Sequence, residues 1–299
     1  MQYIEAKNIV TKTKNNLWFG TDYNMNIYRG CTHGCIYCDS RSDCYRNENF
    51  ENIKVKAHSL DIISANLRSK CTKGVIGTGA MSDPYNTVEQ QLGLTRGALE
   101  LVNDYRFGIA ISTKSSLIAR DVDVLKAITK HSPVICKVTI TTYDSDLCSI
   151  IEPNVSSTVK RLETIATLAQ NGIYCGVLLM PLLPFINDNR ENVFAILHAA
   201  KSAGASFVYP YFGVTLRDSQ RKYFYDRLDE HFPNMKQRYI STFGDSYACQ
   251  QYSTTILYRD MEAEAHRIGI LCRMQDIIRD YRGRYQKNDD TKICQQELF

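Results

Sequence analysis

Three cysteines fall within eight residues, in the run Cys31-Thr-His-Gly-Cys35-Ile-Tyr-Cys38. A C-x3-C-x2-C spacing gathers three thiolates on one short loop, and soft thiolates select zinc, copper(I) or iron–sulfur clusters. In a four-iron cube each iron takes one protein cysteine, so three ligands leave one iron open for chemistry. The competing reading is a structural zinc site completed by Cys44 or His33. Structural zinc usually draws on two short-spaced ligand couples far apart in sequence. Here Cys35–Cys38 is the sole C-x2-C of the chain.

The loop must be held by regular structure, and the flanking sequence supplies it. Short apolar strands are expected at 24–28, 74–78, 107–113, 134–141, 174–180 and 207–211. Between them lie helical stretches at 58–70, 88–103 and 121–129, then the spaced apolar sets Leu162, Ile165, Ala166, Ala169 and Val193, Ile196, Leu197, Ala200. Periodicity that switches between 3.6 and short apolar runs marks βα units around a parallel sheet. Gly172 and Gly204, just past two of the helices, fit helix C-termini. Six such units make a partial barrel or an open doubly wound sheet, and in both the chemistry sits at strand ends. The cysteine loop follows the first strand, at that rim. Beyond 211 the alternation stops. Helices are expected near 216–232, 254–268 and 275–282, with a polar tail at 283–294.

Composition sets the outer limits. The 299 residues are 44% hydrophobic and 23% charged, with a net charge of +4, which allows an anionic partner without demanding one. No apolar run is long enough to span a bilayer and the N-terminus has no signal-peptide core. Eleven cysteines in a long chain of this kind fit a reducing cytoplasm, with thiols free or on metal.

The run Asn26-Ile-Tyr-Arg-Gly-Cys31-Thr-His-Gly-Cys35-Ile-Tyr-Cys38 resembles the cluster motif of the radical S-adenosylmethionine superfamily. It is closer still to the spore photoproduct lyase-like branch, often labelled DNA repair photolyases, with Ile27 where that branch has proline. Further matches are Ser82-Asp83-Pro84-Tyr85, Glu89 with Leu94-Thr95-Arg96, Ser112-Thr113-Lys114-Ser115, and Glu152-Pro153 with Lys160-Arg161-Leu162. The resemblance covers about 24–185 and implies an α/β fold, a partial (βα)6 barrel of the TIM type with an α-helical C-terminal extension. Its division would be an N-terminal segment 1–23, a barrel 24–211 and a helical extension 212–299.

The resemblance also implies that Cys31, Cys35 and Cys38 hold a [4Fe–4S] cluster, with S-adenosylmethionine on the open iron. Reductive cleavage of its sulfonium would give a 5′-deoxyadenosyl radical that abstracts a hydrogen atom. A reductant such as flavodoxin or ferredoxin would be the partner. Tyr37, Ser82, Asp83, Lys114 and Thr139 are the implied cofactor-binding residues. Ser82 and Asp83 would serve equally well as a helix cap or turn, and Lys114 as a solvated strand-end lysine. Arg29 and His33 flank the cluster and either tune it, bond the cofactor or satisfy loop carbonyls.

The expected substrate is a nucleic acid or nucleotide; a peptide or small metabolite is the alternative, and a non-catalytic zinc-dependent nucleic-acid-binding protein the alternative of another class. One departure limits the analogy. True lyases return a hydrogen atom from a cysteine three residues before the Asp of A-C-T-S-D, and Ala80 stands there. Cys71, Cys136 and Cys175 replace it only if they point inward. The stretch 217–227 mixes Arg and Lys with aromatics, suited to stacking on bases, or forms an amphipathic helix with Phe224 and Leu228 packed inward. The last five residues, Gln295-Gln-Glu-Leu-Phe299, resemble the bacterial sliding-clamp-binding pentapeptide at Gln295, Leu298 and Phe299.

Overall fold

The structure, a computed structural model, describes residues 2–47 and 49–285. Six parallel strands carry the fold: β1 (Tyr23–Met25), β2 (Val75–Thr78), β3 (Gly108–Thr113), β4 (Val134–Thr139), β5 (Cys175–Leu182) and β6 (Phe207–Phe212). They lie in chain order, and Val10–Lys12 adds an antiparallel edge beside β1. Helices α1 (Ser59–Arg68), α2 (Leu94–Asp104), α3 (Val122–Ile128), α4 (Thr158–Gln170) and α5 (Arg190–Ser202) fill the crossovers. This is the partial (βα)6 barrel.

Strand alternation divides the interior into two layers. Ile109, Ile111, Val134, Cys136, Val138, Cys175 and Val177 join the core beneath the helices. Ala110, Ile135, Tyr174, Leu178 and Phe207 face inward and pack with Phe19. Four helices follow β6: α6 (Asp218–His231), α7 (Met235–Phe243), α8 (Thr254–Arg267), whose Met261 and Ala265 join the core beneath the barrel helices, and α9 (Met274–Gly283). Ile277 and Tyr281 of α9 close the base of the barrel, where the Tyr281 hydroxyl donates to the Phe19 carbonyl (2.6 Å).

Several elements differ from expectation. The strand expected at 24–28 divides: Tyr28 and Arg29 leave the barrel and pair with Lys54–Lys56, which also binds Gln2–Ile4. The helix expected at 88–103 is broken by Gly93, whose φ of +62° an L side chain rarely adopts. Ser145–Ile151 is helical although too short to show a period; Asp144 caps it, accepting from the N–H groups of Asp146 (2.8 Å) and Leu147 (3.0 Å). Helix α7 was likewise hidden by its length. The pentapeptide Gln295–Phe299 lies outside the described residues. Among the described residues, no helix is long and apolar enough to cross a membrane.

Candidate active site at the cysteine loop

The loop begins at Gly30, with φ +86° and a position where a β-carbon would come within 2.6 Å of the Phe50 carbonyl. Only glycine tolerates both. From there the backbone is tied on several sides. Cys31 N–H donates to Phe50 (2.9 Å), Ile36 N–H to Ile151 (3.0 Å), and Asn154 N–H to the His33 carbonyl (3.1 Å). Gln220 of α6 donates to the Tyr37 carbonyl (3.2 Å). Cys35, Ile36 and Tyr37 share a core with Phe224, Leu228, Tyr239 and Phe243, so the C-terminal helices form the bed of the loop.

Cys31 and Cys35 are buried and Cys38 half-buried. Burial, aided by Asp83, pushes the Cys31 thiol up to about 11, although the N–H groups of His33 and Asp83 favour its thiolate. Burial raises the Cys35 thiol as well, against the pull of Lys114. The same burial works against the charge of Lys114, but Cys35, Glu152, Cys38 and Asp83 outweigh it and push its pKa up to about 12. Such thiols give up their protons to a cationic metal group, which supplies the missing positive charge. Among the described residues no three His, Cys, Asp or Glu side chains converge on one ion. A cube does not require that, because each thiolate meets its own iron. Three thiols on a tied loop, with a cation beside them, fit a [4Fe–4S] cluster.

The other residues expected in the site form one connected set around that loop. Ser82 is buried and its hydroxyl donates to the Gly30 carbonyl, one residue before the first cysteine. Asp83 accepts from Tyr85 N–H (2.9 Å), the Thr113 hydroxyl (2.7 Å) and Lys114 N–H (2.8 Å). It thereby binds the turn after β2 to the end of β3, and His33 Nδ1 stands 3.4 Å from the oxygen that accepts from Lys114 N–H. Lys114 is half-buried with Nζ 5.6 Å from the centre of the Tyr37 ring. Thr139 ends β4, buried and, by strand alternation, turned to the lumen.

Glu152 and Arg161 complete the set, two residues to which the sequence motifs alone assign no role. They form an ion pair of 2.8 Å with both side chains fully buried. The Tyr37 hydroxyl donates to Glu152, and so does the Thr141 hydroxyl (3.2 Å). Arg161 also donates to the Thr139 carbonyl (2.6 Å). Burial alone would raise the Glu152 carboxyl, but Arg161, Lys114 and the Tyr37 hydrogen bond hold it below its ordinary value. The signal that could have found the pair was present: both residues lie in motifs matched to the lyase-like branch. Glu89, Thr95 and Arg96, from another such motif, are framework. Glu89 binds Tyr28, Thr95 N–H (2.9 Å) and Arg120 (2.7 Å), while the Thr95 hydroxyl donates to the Pro84 carbonyl (2.6 Å). They brace the turn that carries Ser82 and Asp83.

Three further candidates are placed by their contacts. Arg29 donates to the carbonyls of Tyr45 (3.1 Å) and Arg46, so it satisfies the loop that follows the cluster. Helix α6 is amphipathic with Phe224 and Leu228 buried, and its cations have internal partners: Arg217 with Asp39 (2.7 Å), Lys222 with Asp226 (2.8 Å), Arg227 with Glu230 (2.6 Å). Arg221 donates to four backbone carbonyls, those of Leu216, Gly244, Asp245 and Ser246. Cys136 and Cys175 face the helices, and Cys71 is exposed ahead of β2, at the end of the sheet away from the cysteine loop.

Residues 25–197 match the Radical SAM superfamily. An uncharacterized protein of Mycobacterium tuberculosis is 28% identical over 241 residues, covering 78% of this chain and 71% of the relative. One from Methanocaldococcus jannaschii is 34% identical over 188 residues, 62% of this chain and 68% of its own. Among solved structures, a spore photoproduct lyase mutant with bound AdoMet and dinucleoside spore photoproduct aligns with a TM-score of 0.62. It is 14% identical, covering 91% of this chain and 76% of that one. The lyase complexed with the dinucleoside photoproduct alone gives 0.63 at 13% identity, covering 93% and 79%. At such identity the likeness is one of fold. The family match over more than half of the chain, on a barrel whose mouth carries the three-thiol loop, makes this protein a radical SAM enzyme, a member of the superfamily that works with a [4Fe–4S] cluster and S-adenosylmethionine.

Proposed function

We propose that this chain carries out radical chemistry on a nucleic acid or nucleotide, with Cys31, Cys35 and Cys38 as cluster ligands. Lys114, Ser82 and Thr139 line the S-adenosylmethionine side, with Tyr37 and Asp83 holding the frame. The observation that carries the reading is the meeting of three thiols and the Lys114 ammonium at one rim of the barrel. When bound, the cluster and S-adenosylmethionine supply reductive sulfonium cleavage and hydrogen-atom abstraction. The chain's own part is positional. Lys114 offers a charge for a carboxylate, and the Glu152–Arg161 pair fixes Tyr37 beneath it. The α6 and α7 side chains exclude water from the far side of the loop.

The nucleic-acid reading is supported by the lyase-like motif and by the fold shared with an enzyme that binds a dinucleoside photoproduct. The end of the reaction differs from the lyase's. Ala80 is exposed at the donor position, and Cys71, Cys136 and Cys175 point away from the mouth. Repair of the thymine photoproduct through a thiol hydrogen donor is therefore not expected of this chain. A reductant such as flavodoxin or ferredoxin would deliver the electron.

The test is anaerobic reconstitution followed by S-adenosylmethionine cleavage to 5′-deoxyadenosine, lost in Cys35→Ala. Deuterium should pass into 5′-deoxyadenosine from labelled oligonucleotides. Cleavage without any transfer or binding would remove the nucleic-acid substrate and leave the radical chemistry standing.

A further inference from the structure

The six barrel strands contain no Asp, Glu, Arg or His and a single Lys. That residue, Lys137, lies in the middle of β4, in register with Ser112 of β3 and Gly176 of β5. Alternation turns it to the lumen together with Ile135 and Thr139, whereas Cys136 and Val138 join the core beneath the helices. Lys137 is 1% exposed. Among the described residues its ammonium makes no ion pair or hydrogen bond, and no carboxylate acts on its charge. The Phe19 ring lies beneath it, 4.6 Å from Nζ. Nζ thus lies on the inner side of the sheet, over the Phe19 ring that packs with Ala110, Ile135 and Leu178.

A ring face returns only part of the hydration such a cation loses, and a methionine would fill the same volume without that loss. Burial drives the pKa down to about 7, with only Cys136 opposing it. Three inward neighbours are neutral: Ser112, the register partner of Lys137, and Thr139 are buried, and Tyr209 packs against the same Phe19 ring. A lone amine in a wall of hydroxyls is a receptor for one negative group.

The geometry points to Lys137 as the anion-recognition residue of the barrel, receiving a phosphate or carboxylate oxygen of a substrate that enters from the cysteine-loop end, with the Ser112 and Thr139 hydroxyls beside it. This inference rests on the reading that the reaction takes place at that mouth, and it is independent of whether the substrate is a nucleic acid. Thr139 lies two residues nearer the mouth than Lys137, so the anion would anchor the substrate below the reacting atom.

The test follows the lysine side-chain carbons by NMR in the anaerobically reconstituted holoprotein labelled with 13C-lysine. Lys137→Met and Lys137→Arg each remove the Lys137 signal and so assign it. Without ligand it should titrate near 7. Because only the ammonium binds an anion, thymidine 5′-monophosphate should raise the midpoint by roughly one pH unit for a tenfold excess over its Kd. Thymidine should leave it unchanged. Inorganic phosphate and acetate separate the two oxyanion sources, and a rise with either supports the site. A midpoint indifferent to all three anions, or a signal titrating like a surface lysine, overturns it. S-adenosylmethionine cleavage in the same sample reports on the radical reading separately.

Discussion

Replacing Arg161 by Met should destabilise the protein well beyond an ordinary core substitution. The arginine is fully buried and neutralises Glu152, which is also fully buried, at 2.8 Å. Its removal strands a carboxylate and also deprives the Thr139 carbonyl of a donor 2.6 Å away. Breaking one side of a buried pair costs about 3–5 kcal/mol, because the partner's charge stays desolvated. With an unfolding entropy of about 2.1 cal/mol/K per residue, a 299-residue chain loses roughly 5–8 °C in Tm. Calorimetry of the cluster-free protein measures this directly. The double variant Arg161→Met, Glu152→Gln should recover part of the loss, since the stranded charge is gone.

Acid sharpens the test. In the wild type the Glu152 carboxyl lies below its ordinary value, so its stabilisation is present above about 4.5 and lost as pH falls through the folded pKa. In Arg161→Met burial dominates and raises that carboxyl, so the deficit should narrow between pH 8 and pH 5. A single variant within about 2 °C of wild type, or a double variant no better than the single, would refute the claim that the pair sets the Tyr37 position through charge.

Asp83→Ala removes the acceptor of three hydrogen bonds; at about 1 kcal/mol each, a loss of roughly 3 kcal/mol should appear in the urea midpoint. Gln220→Ala leaves the buried Tyr37 carbonyl without its donor; a cost of about 1–2 kcal/mol and faster loss of iron to a chelator are expected, and an unchanged release rate counts against the bed formed by α6. Lys114→Met should weaken S-adenosylmethionine binding at least tenfold, about 1.4 kcal/mol, while iron per chain stays constant; equal affinity in equilibrium dialysis would remove Lys114 from the cofactor site. Lys137 has a folded pKa of about 7 against 10.5 when solvated, so the unfolded chain binds more protons between those values and stability should rise with pH across that window. Lys137→Met should abolish that part of the rise in urea unfolding curves.

The cysteine spacing alone proposed a cluster with an open iron, since ligand type and count are local properties of the chain. The six strands were legible for the same reason: their apolar runs and the periodic helices between them are contiguous in sequence. What sequence could not give were the pairings between distant segments. Glu152 and Arg161 are nine residues apart but meet only because the turn after Ser145–Ile151 folds back under β4. Gln220 reaches Tyr37 across 183 positions. The stretch 217–227 shows the opposite lesson, because its composition suits bases while its cations are taken up by carboxylates and carbonyls of the same fold. Lys137 was visible as a lysine in an apolar strand, yet only the closing of the barrel decided that it faces the lumen with no countercharge. Ligand chemistry is written residue by residue. Burial and charge compensation depend on what the rest of the chain brings near, so tertiary structure decides them.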